Sequence, residues 1–297
     1  MTRAIPLTRT RLRRLPLPPL DDDGDKESRG RVLVVGGSTL VPGAVLLAGV
    51  AALRAGAGKL QLATVRDVAI PLALAVPEAL VAPLPRTRGG EIAGARAAAP
   101  LRRYAGEAAA LLVGPGMTVG PSVRALVAAL VRQAGPETTV VLDGAAIVAL
   151  RDDPRLLAPL GGRAVLTPHA GEMASLLDVD KRDVEGDPAA VAAHAAARFG
   201  AVVALKGAES WVAEPGAAGR LLHYRAGRVG LGTSGSGDTL AGIVAGLAAL
   251  GAPPLVAAAW GVWAHGTAGQ VLARRMGEVG FLARELLDEV PALVGRR

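Results

Sequence analysis

Short apolar runs recur along the chain, and each ends in small or polar residues. Val32-Leu33-Val34-Val35 runs into Gly36-Gly37-Ser38, and Ala110-Leu111-Leu112-Val113 into Gly114-Pro115-Gly116. Thr139-Val140-Val141-Leu142 ends at Asp143-Gly144, Ala164-Val165-Leu166 at Thr167-Pro168-His169, and Val202-Val203-Ala204-Leu205 at Lys206-Gly207. Leu60-Gln61-Leu62-Ala63 reads as a further strand. Continuous apolar runs, rather than alternating ones, indicate strands buried on both faces. Helical patterns over 43–55, 121–134, 170–177 and 188–198 separate most of them. Strands alternating with helices predict an α/β fold with a mostly parallel central sheet. In such a sheet the C-terminal strand ends share one edge, where open α/β folds bind ligands. Six segments distant in sequence are therefore expected to meet in one cleft. Residues 209–230 read as a β-rich excursion, with Trp211-Val212-Ala213 and Leu221-Leu222-His223-Tyr224 as its strands.

The pattern starts at about residue 31. Residues 1–30 read as an N-terminal lead-in, Arg- and Pro-rich and then acidic from Asp21 to Asp25, and 31–297 as one domain. No internal repeat and no low-complexity linker interrupts it. Hydrophobic residues make up 51% of the chain but aromatics only 2%, so the core must be built from Ala, Val and Leu. Residues 239–273 carry no charged side chain, but Gly251-Ala252-Pro253-Pro254 breaks the stretch. Two buried helices explain it better than a membrane span of about 20 strongly apolar residues.

The net charge of +7 raises the question of a polyanionic partner. Arg3, Arg9, Arg11, Arg13 and Arg14 all precede the first acid, Asp21, and the remainder is only slightly basic. Without a lysine-rich stripe or an aromatic platform, the reading is no nucleic acid and no membrane. The absence of cysteine excludes disulfides, thiolate metal sites and a cysteine nucleophile. It fits a reducing compartment, and the N-terminus lacks the apolar segment of a signal peptide. The expected location is the cytoplasm.

Candidate chemistry centres on Gly235-Ser236-Gly237-Asp238-Thr239, which leads directly into Leu240-Ala241-Gly242-Ile243. A glycine turn opening a helix presents unpaired amides and the positive end of the helix dipole, which together bind anions. Asp238 could cap the helix, as Asp commonly does, or act as a base on a substrate hydroxyl beside a bound phosphate. His169 could be a surface histidine at a capped helix start or a contact at the cleft edge. Lys206 could be a solvated strand terminus or a nucleotide contact. His194 and His265 fall within helical stretches without ligand spacing and read as structural. Gly230-Leu231-Gly232-Thr233-Ser234-Gly235 formally matches a dinucleotide fingerprint but lies far from an early βαβ unit and lacks an acid about 20 residues on. Gly58-Lys59 lacks the Ser or Thr of a P-loop, and Gly242-x-x-x-Gly246 reads as close helix packing.

In order along the chain stand Gly36-Gly37-Ser38, Pro42-Gly43-Ala44, Gly114-Pro115-Gly116, Leu166-Thr167-Pro168-His169-Ala170-Gly171-Glu172, Lys206-Gly207 and Gly235-Ser236-Gly237-Asp238-Thr239-Leu240. Over about residues 25–292 this resembles the ADP-dependent NAD(P)H-hydrate dehydratase family of the ribokinase-like superfamily. The resemblance implies a three-layer αβα sandwich. It implies an enzyme that removes water from the S epimer of hydrated NADH or NADPH at the expense of ADP, giving AMP and phosphate. By the same resemblance Ala44, Gly116, His169 and Asp238 contact the hydrated cofactor. Lys206, Gly207, Ala208, Glu209, Ser210 and Gly237 line the adenine nucleotide, beside the Gly235 and Ser236 turn, and Asp238 is the catalytic base. Magnesium is expected, with no ligands assigned, as is a homotetramer.

The chain departs from the family pattern in several places. Asp25-Lys26-Glu27 stands where His-Lys-Gly is common, Ala170 replaces a proline, Arg228 lies near an Asn position, and Ser234 replaces a glycine. The epimerase domain that precedes this one in some members is expected to be absent. The rival readings are a ribokinase-like kinase for a small alcohol and a non-catalytic nucleotide-binding protein.

Overall fold

A computed structural model of the protein describes residues 4–19, 25–216 and 218–295. Arg3 and most of the acidic run, Asp21 to Asp23, lie outside the described residues. Among the described residues ten strands form one sheet: β1 (Ile5–Pro6), β2 (Arg31–Val35), β3 (Lys59–Val65), β4 (Ala79–Leu84), β5 (Ala110–Val113), β6 (Thr139–Leu142), β7 (Ala164–Leu166), β8 (Val202–Leu205), β9 (Ser210–Ala213) and β10 (Leu221–Tyr224). Their order is β1-β10-β9-β8-β7-β6-β5-β2-β3-β4. The seven strands from β4 to β8 run parallel, and β9 is the antiparallel one.

Period-two alternation divides each central strand between two cores. Val32, Val34, Leu60, Leu62, Ala110 and Leu112 face one core, while Leu33, Val35, Ala63, Leu111 and Val113 face the other. The first is covered by the helices Gly43–Arg54, Ser236–Ala249, Pro254–Met276 and Ala283–Val294. The second is covered by Pro121–Gln133, Ala170–Leu177 and Pro188–Phe199. The result is a three-layer α/β sandwich. The uncharged stretch 239–273 supplies two buried helices broken at Pro253-Pro254. Among the described residues no helix is long and apolar enough to cross a membrane.

Two strands had no clear signal in the apolar pattern. β4 contains Pro83 and is half-exposed, which an edge strand tolerates because proline removes a donor only from one side. β1 is two residues of the lead-in that pair in parallel with Leu222 and His223. The described part of the lead-in packs onto the domain: Leu7 and Leu12 are buried, and Trp260 Nε1 donates to the Leu15 carbonyl at 2.7 Å.

The topology also fixes where a ligand can enter. From β2 the chain moves through β3 to β4 on one side, then returns to place β5 on the other side of β2. Strand order reverses there, and open α/β sheets bind ligands outside the carboxyl ends at such a point. Gly36-Gly37 and Gly114-Pro115-Gly116 occupy those ends, joined by the Gly37 amide donating to the Pro115 carbonyl at 2.7 Å.

The Ser236 helix reaches the cleft because its small residues let it lie against the Gly43 helix. A Cβ on Gly242 would strike the Ala48 carbonyl, and one on Gly246 the Ala52 carbonyl. Gly242-x-x-x-Gly246 is thus a packing seam within the domain. Backbone cannot retreat as a flexible side chain can, so overpacking here is costly. Gly242→Ala is expected to destabilise the protein by about 1–3 kcal/mol, read as a lowered denaturant midpoint with an unchanged slope.

Candidate active site

Three neighbouring strand ends place a lysine, an aspartate and a threonine together. Lys206 follows β8, Asp143 follows β6 and Thr167 follows β7. Lys206 Nζ lies 2.8 Å from Asp143 Oδ1, and Thr167 Oγ1 donates to the same oxygen at 2.6 Å. The lysine backbone is pinned too: its amide donates to the Pro168 carbonyl at 2.8 Å. Asp143 is 4% exposed and Thr167 fully buried. Burial opposes the charge on Lys206, but the carboxylates of Asp143, Glu172 and Asp238 outweigh it and hold the ammonium above its ordinary pKa.

The Ser236 helix starts beside this lysine. Gly235 is its N-cap, with φ of +88°, a left-handed conformation that glycine adopts without Cβ strain. No side chain caps this start, and the first-turn amides of a helix have no partners within it. Asp238 is the third helical residue, so it does not occupy the capping position. It is half-buried, and its pKa is pushed up to about 7, first by burial and then by the neighbouring Asp143 charge, with Lys206 opposing and Glu172 adding. A carboxyl poised there can exchange a proton at neutral pH.

His169 caps the helix Ala170–Leu177. Its Nδ1 accepts from the amides of Gly171 at 3.0 Å and Glu172 at 3.2 Å, while Glu172 Oε2 accepts from the His169 amide at 2.9 Å. This is a capping box with histidine in the usual Ser or Thr place. A nitrogen accepting two amides carries no proton, so the neutral ring is protonated at Nε2. The two readings of His169 coexist: it caps a helix and lines the cleft.

Two cavities meet here. One of about 410 Å³ is lined by Gly207, Ala208, Ser210, Tyr224, Ser236 and Leu240, among others. The other, of about 470 Å³, is lined by Gly116, Asp143, Glu172, Gly235 and Asp238, among others. His169, Lys206 and Gly237 line both. A Cβ on Gly237 would come within 3.1 Å of Lys206 Nζ, so the ammonium lies against the glycine turn. Ala44 is buried behind Gly116, whose own Cβ would approach Ala44 Cβ at 2.9 Å.

Most sequence-predicted site residues thus converge on the two cavities. Glu209 does not: its carboxylate turns away to His223 Nε2 at 2.6 Å, a ring stacked on Trp211 with centroids 3.7 Å apart. His194 lies exposed on its helix. His265, read from the sequence as structural, lines the first cavity and has Nε2 2.9 Å from Ser236 Oγ. Burial, helped by the Lys206 charge, lowers its pKa to about 4, so the ring is neutral at pH 7. Asp143 and Glu172 carry no separate signal of a site residue in the sequence, although Asp143 ends an apolar run by the same pattern that marks Lys206. Nothing in the sequence relates His265 to Ser236, which lie 29 residues apart. Among the described residues no group of three or more His, Cys, Asp or Glu could hold a metal ion.

The sequence model of the NAD(P)H-hydrate dehydratase family matches residues 32–292. An ADP-dependent (S)-NAD(P)H-hydrate dehydratase from Xanthomonas campestris is 53% identical over 98% of this chain and 96% of its own length. An ADP/ATP-dependent NAD(P)H-hydrate dehydratase from Bacillus subtilis, co-crystallized with ATP and magnesium, matches with a TM-score of 0.80 at 26% identity. That match covers 99% of this chain and 98% of that one. A ribokinase-like superfamily protein from Enterococcus faecalis matches with a TM-score of 0.82 at 25% identity, over 97% of this chain and 94% of that one.

The raised pKa of Asp238 makes a stability prediction. The folded state binds this proton more tightly than the unfolded chain, so the contribution is complete below about pH 4 and is lost as pH rises through about 7. Asp238→Asn carries no such proton. At pH 8 the variant should therefore unfold at higher denaturant than the native protein, and the gap should close toward pH 4. Midpoints measured across pH 4–8 check this, and a gap independent of pH would contradict it.

Proposed function

The chain belongs to the NAD(P)H-hydrate dehydratase family, with a ribokinase-like fold, and from that premise we propose that it repairs hydrated nicotinamide cofactors. It removes water from the S epimer of NADH or NADPH hydrate at the expense of ADP, yielding the reduced cofactor, AMP and phosphate. The observation that carries this reading is the pair of cavities meeting at His169, Lys206 and Gly237, with Asp238 on one side only. One cavity suits the adenine nucleotide and the other the hydrated ring.

Hydroxide is a poor leaving group and phosphate a good one. Asp238 takes the ring hydroxyl proton as that oxygen attacks the terminal phosphorus of ADP, and AMP leaves. The developing charge falls between the Lys206 ammonium and the Gly235 and Gly237 amides of the turn, while the Ser236 amide between them donates to the Thr233 carbonyl at 3.2 Å and helps hold the turn in place before the reaction begins. The ring nitrogen then expels phosphate. Gly116, backed by Ala44, and His169, through its Nε2 proton, hold the hydrated ring against Asp238. Gly207, Ala208, Ser210 and Ser236 border the nucleotide. Glu209, which faces His223, supports this segment from outside. Magnesium would accompany ADP as the counter-ion of its phosphates and would neutralise part of their charge. Residues 31–297 are the dehydratase domain and 1–30 its lead-in. The working form is a cytoplasmic homotetramer.

Purified protein with ADP and magnesium is expected to restore the absorbance of the reduced nicotinamide from hydrated NADH or NADPH. It should consume the S epimer and release one AMP per cofactor. A stable phosphorylated product without recovery would instead favour a small-alcohol kinase. Asp238→Asn should lower turnover by roughly 10²–10⁴, the range for a lost general base, while ADP binding by calorimetry is retained. Unchanged turnover would remove Asp238 from the mechanism.

A further inference from the structure

His265 stands in the wall of the first cavity, with Nε2 2.9 Å from Ser236 Oγ. The two residues come from different helices, Pro254–Met276 and Ser236–Ala249, and the seam between these is tight. A Cβ on Gly261, about one turn before His265, would strike the Val244 side chain at 2.5 Å. One on Gly266, the next residue, would strike the Tyr224 ring at 2.2 Å. Packing this close holds the imidazole against the glycine turn.

Ser236 is the residue of that turn that faces the nucleotide. Ser236 and His265 line the first cavity, Gly235 and Asp238 the second, and Gly237 both. Ser236 is 4% exposed, and its amide is engaged with the Thr233 carbonyl at 3.2 Å. What it can offer a phosphate is therefore its hydroxyl. The histidine decides where that hydroxyl proton points, because the neutral ring has one N–H. With the ring proton on Nδ1, Nε2 accepts from serine, and Oγ turns only lone pairs to the cavity, which repel a phosphate oxygen. With it on Nε2, the ring donates to Oγ, and the serine proton is free for the phosphate.

We propose that His265 is a positioning residue for the phosphate that stays with AMP: its Nε2–H holds Ser236 Oγ as an acceptor and so commits the serine proton to an oxygen of that phosphate. This rests on the reading of the first cavity as the nucleotide site. Hydrogen bonds in a chain polarise one another, so a serine held in this way is a better donor than a free one. Its bond strengthens as AMP departs and charge gathers on the AMP phosphate. Lys206 and Gly237, where the cavities meet, hold the transferred group, and the His265–Ser236 pair holds the leaving one.

ADP affinity, measured by calorimetry in a double-mutant cycle, tests this. Ser236→Ala should weaken ADP binding by roughly 10–100-fold, the range for a hydrogen bond to a charged group. His265→Phe, which keeps a planar ring but no donor, should weaken it by about tenfold. In the Ser236→Ala background the same histidine change should cost nothing further, since a residue that acts through the hydroxyl has no target once the hydroxyl is gone. His265→Gln, whose amide can donate to Oγ, should lose less than His265→Phe. A merely structural histidine would lower the denaturant midpoint and leave ADP affinity unmoved, or give losses that add to those of Ser236→Ala. Either result overturns the assignment, as do unchanged affinity in Ser236→Ala and equal losses in the Gln and Phe variants. His265→Leu takes the place of His265→Phe if the latter does not fold. Failure of the native protein to recover cofactor would sink the dehydratase reading, while the ADP affinities would still decide the role of His265.

Discussion

The Lys206–Asp143 pair is the interaction around which the site is built. Both groups are largely withdrawn from water, and a buried charge stripped of its partner costs about 3–5 kcal/mol. Each therefore holds the other in place. The parallel register of β6, β7 and β8 puts their carboxyl ends on one edge of the sheet, so two residues 63 apart in sequence meet at 2.8 Å. Thr167, from the strand between them, satisfies the same carboxylate oxygen. A lysine anchored in this way cannot swing into either cavity. It stands as a fixed cation on the wall they share, where a phosphoryl group would cross from one to the other.

The anchored cation also sets the protonation of its surroundings. Asp238 lies near two other carboxylates, in a partly buried cleft, and Lys206 offsets only part of that repulsion. The same positive charge helps keep His265 neutral. A charged lysine, a neutral histidine and a carboxyl that changes state near neutrality thus coexist around one glycine turn. The arrangement separates two tasks by environment. The side chain meant to hold charge is paired, and the one meant to exchange a proton has no ion pair among the described residues.

Small residues make this arrangement reachable. The Ser236 helix carries its N-terminus to the cleft because glycines let it approach the Gly43 helix backbone to backbone. Aromatic side chains at that seam would lift the helix away from the sheet and take Gly237 away from Lys206. The poverty of aromatic residues, 2% of the chain, is in this sense a property of the site as well as of the core.

The sequence by itself determined the strands that are buried on both faces, since an uninterrupted apolar run has no other stable setting. It also determined the glycine turn before the Ser236 helix, and the rule that polar residues gather at strand ends. From these came the sheet, its ligand-binding edge, and Lys206, His169 and Asp238 as residues of one cleft. Tertiary structure decided which way the side chains point. Glu209 and Lys206 are three residues apart, yet one reaches the cleft and the other turns to His223, because the chain reverses into antiparallel β9 between them. Asp143 became the partner of Lys206 only through strand register, and His265 met Ser236 only where two long helices pack. Hydrophobic periodicity records burial, a local property of each segment. The direction of a polar side chain depends on what stands opposite it, and only the assembled sheet and helices supply that.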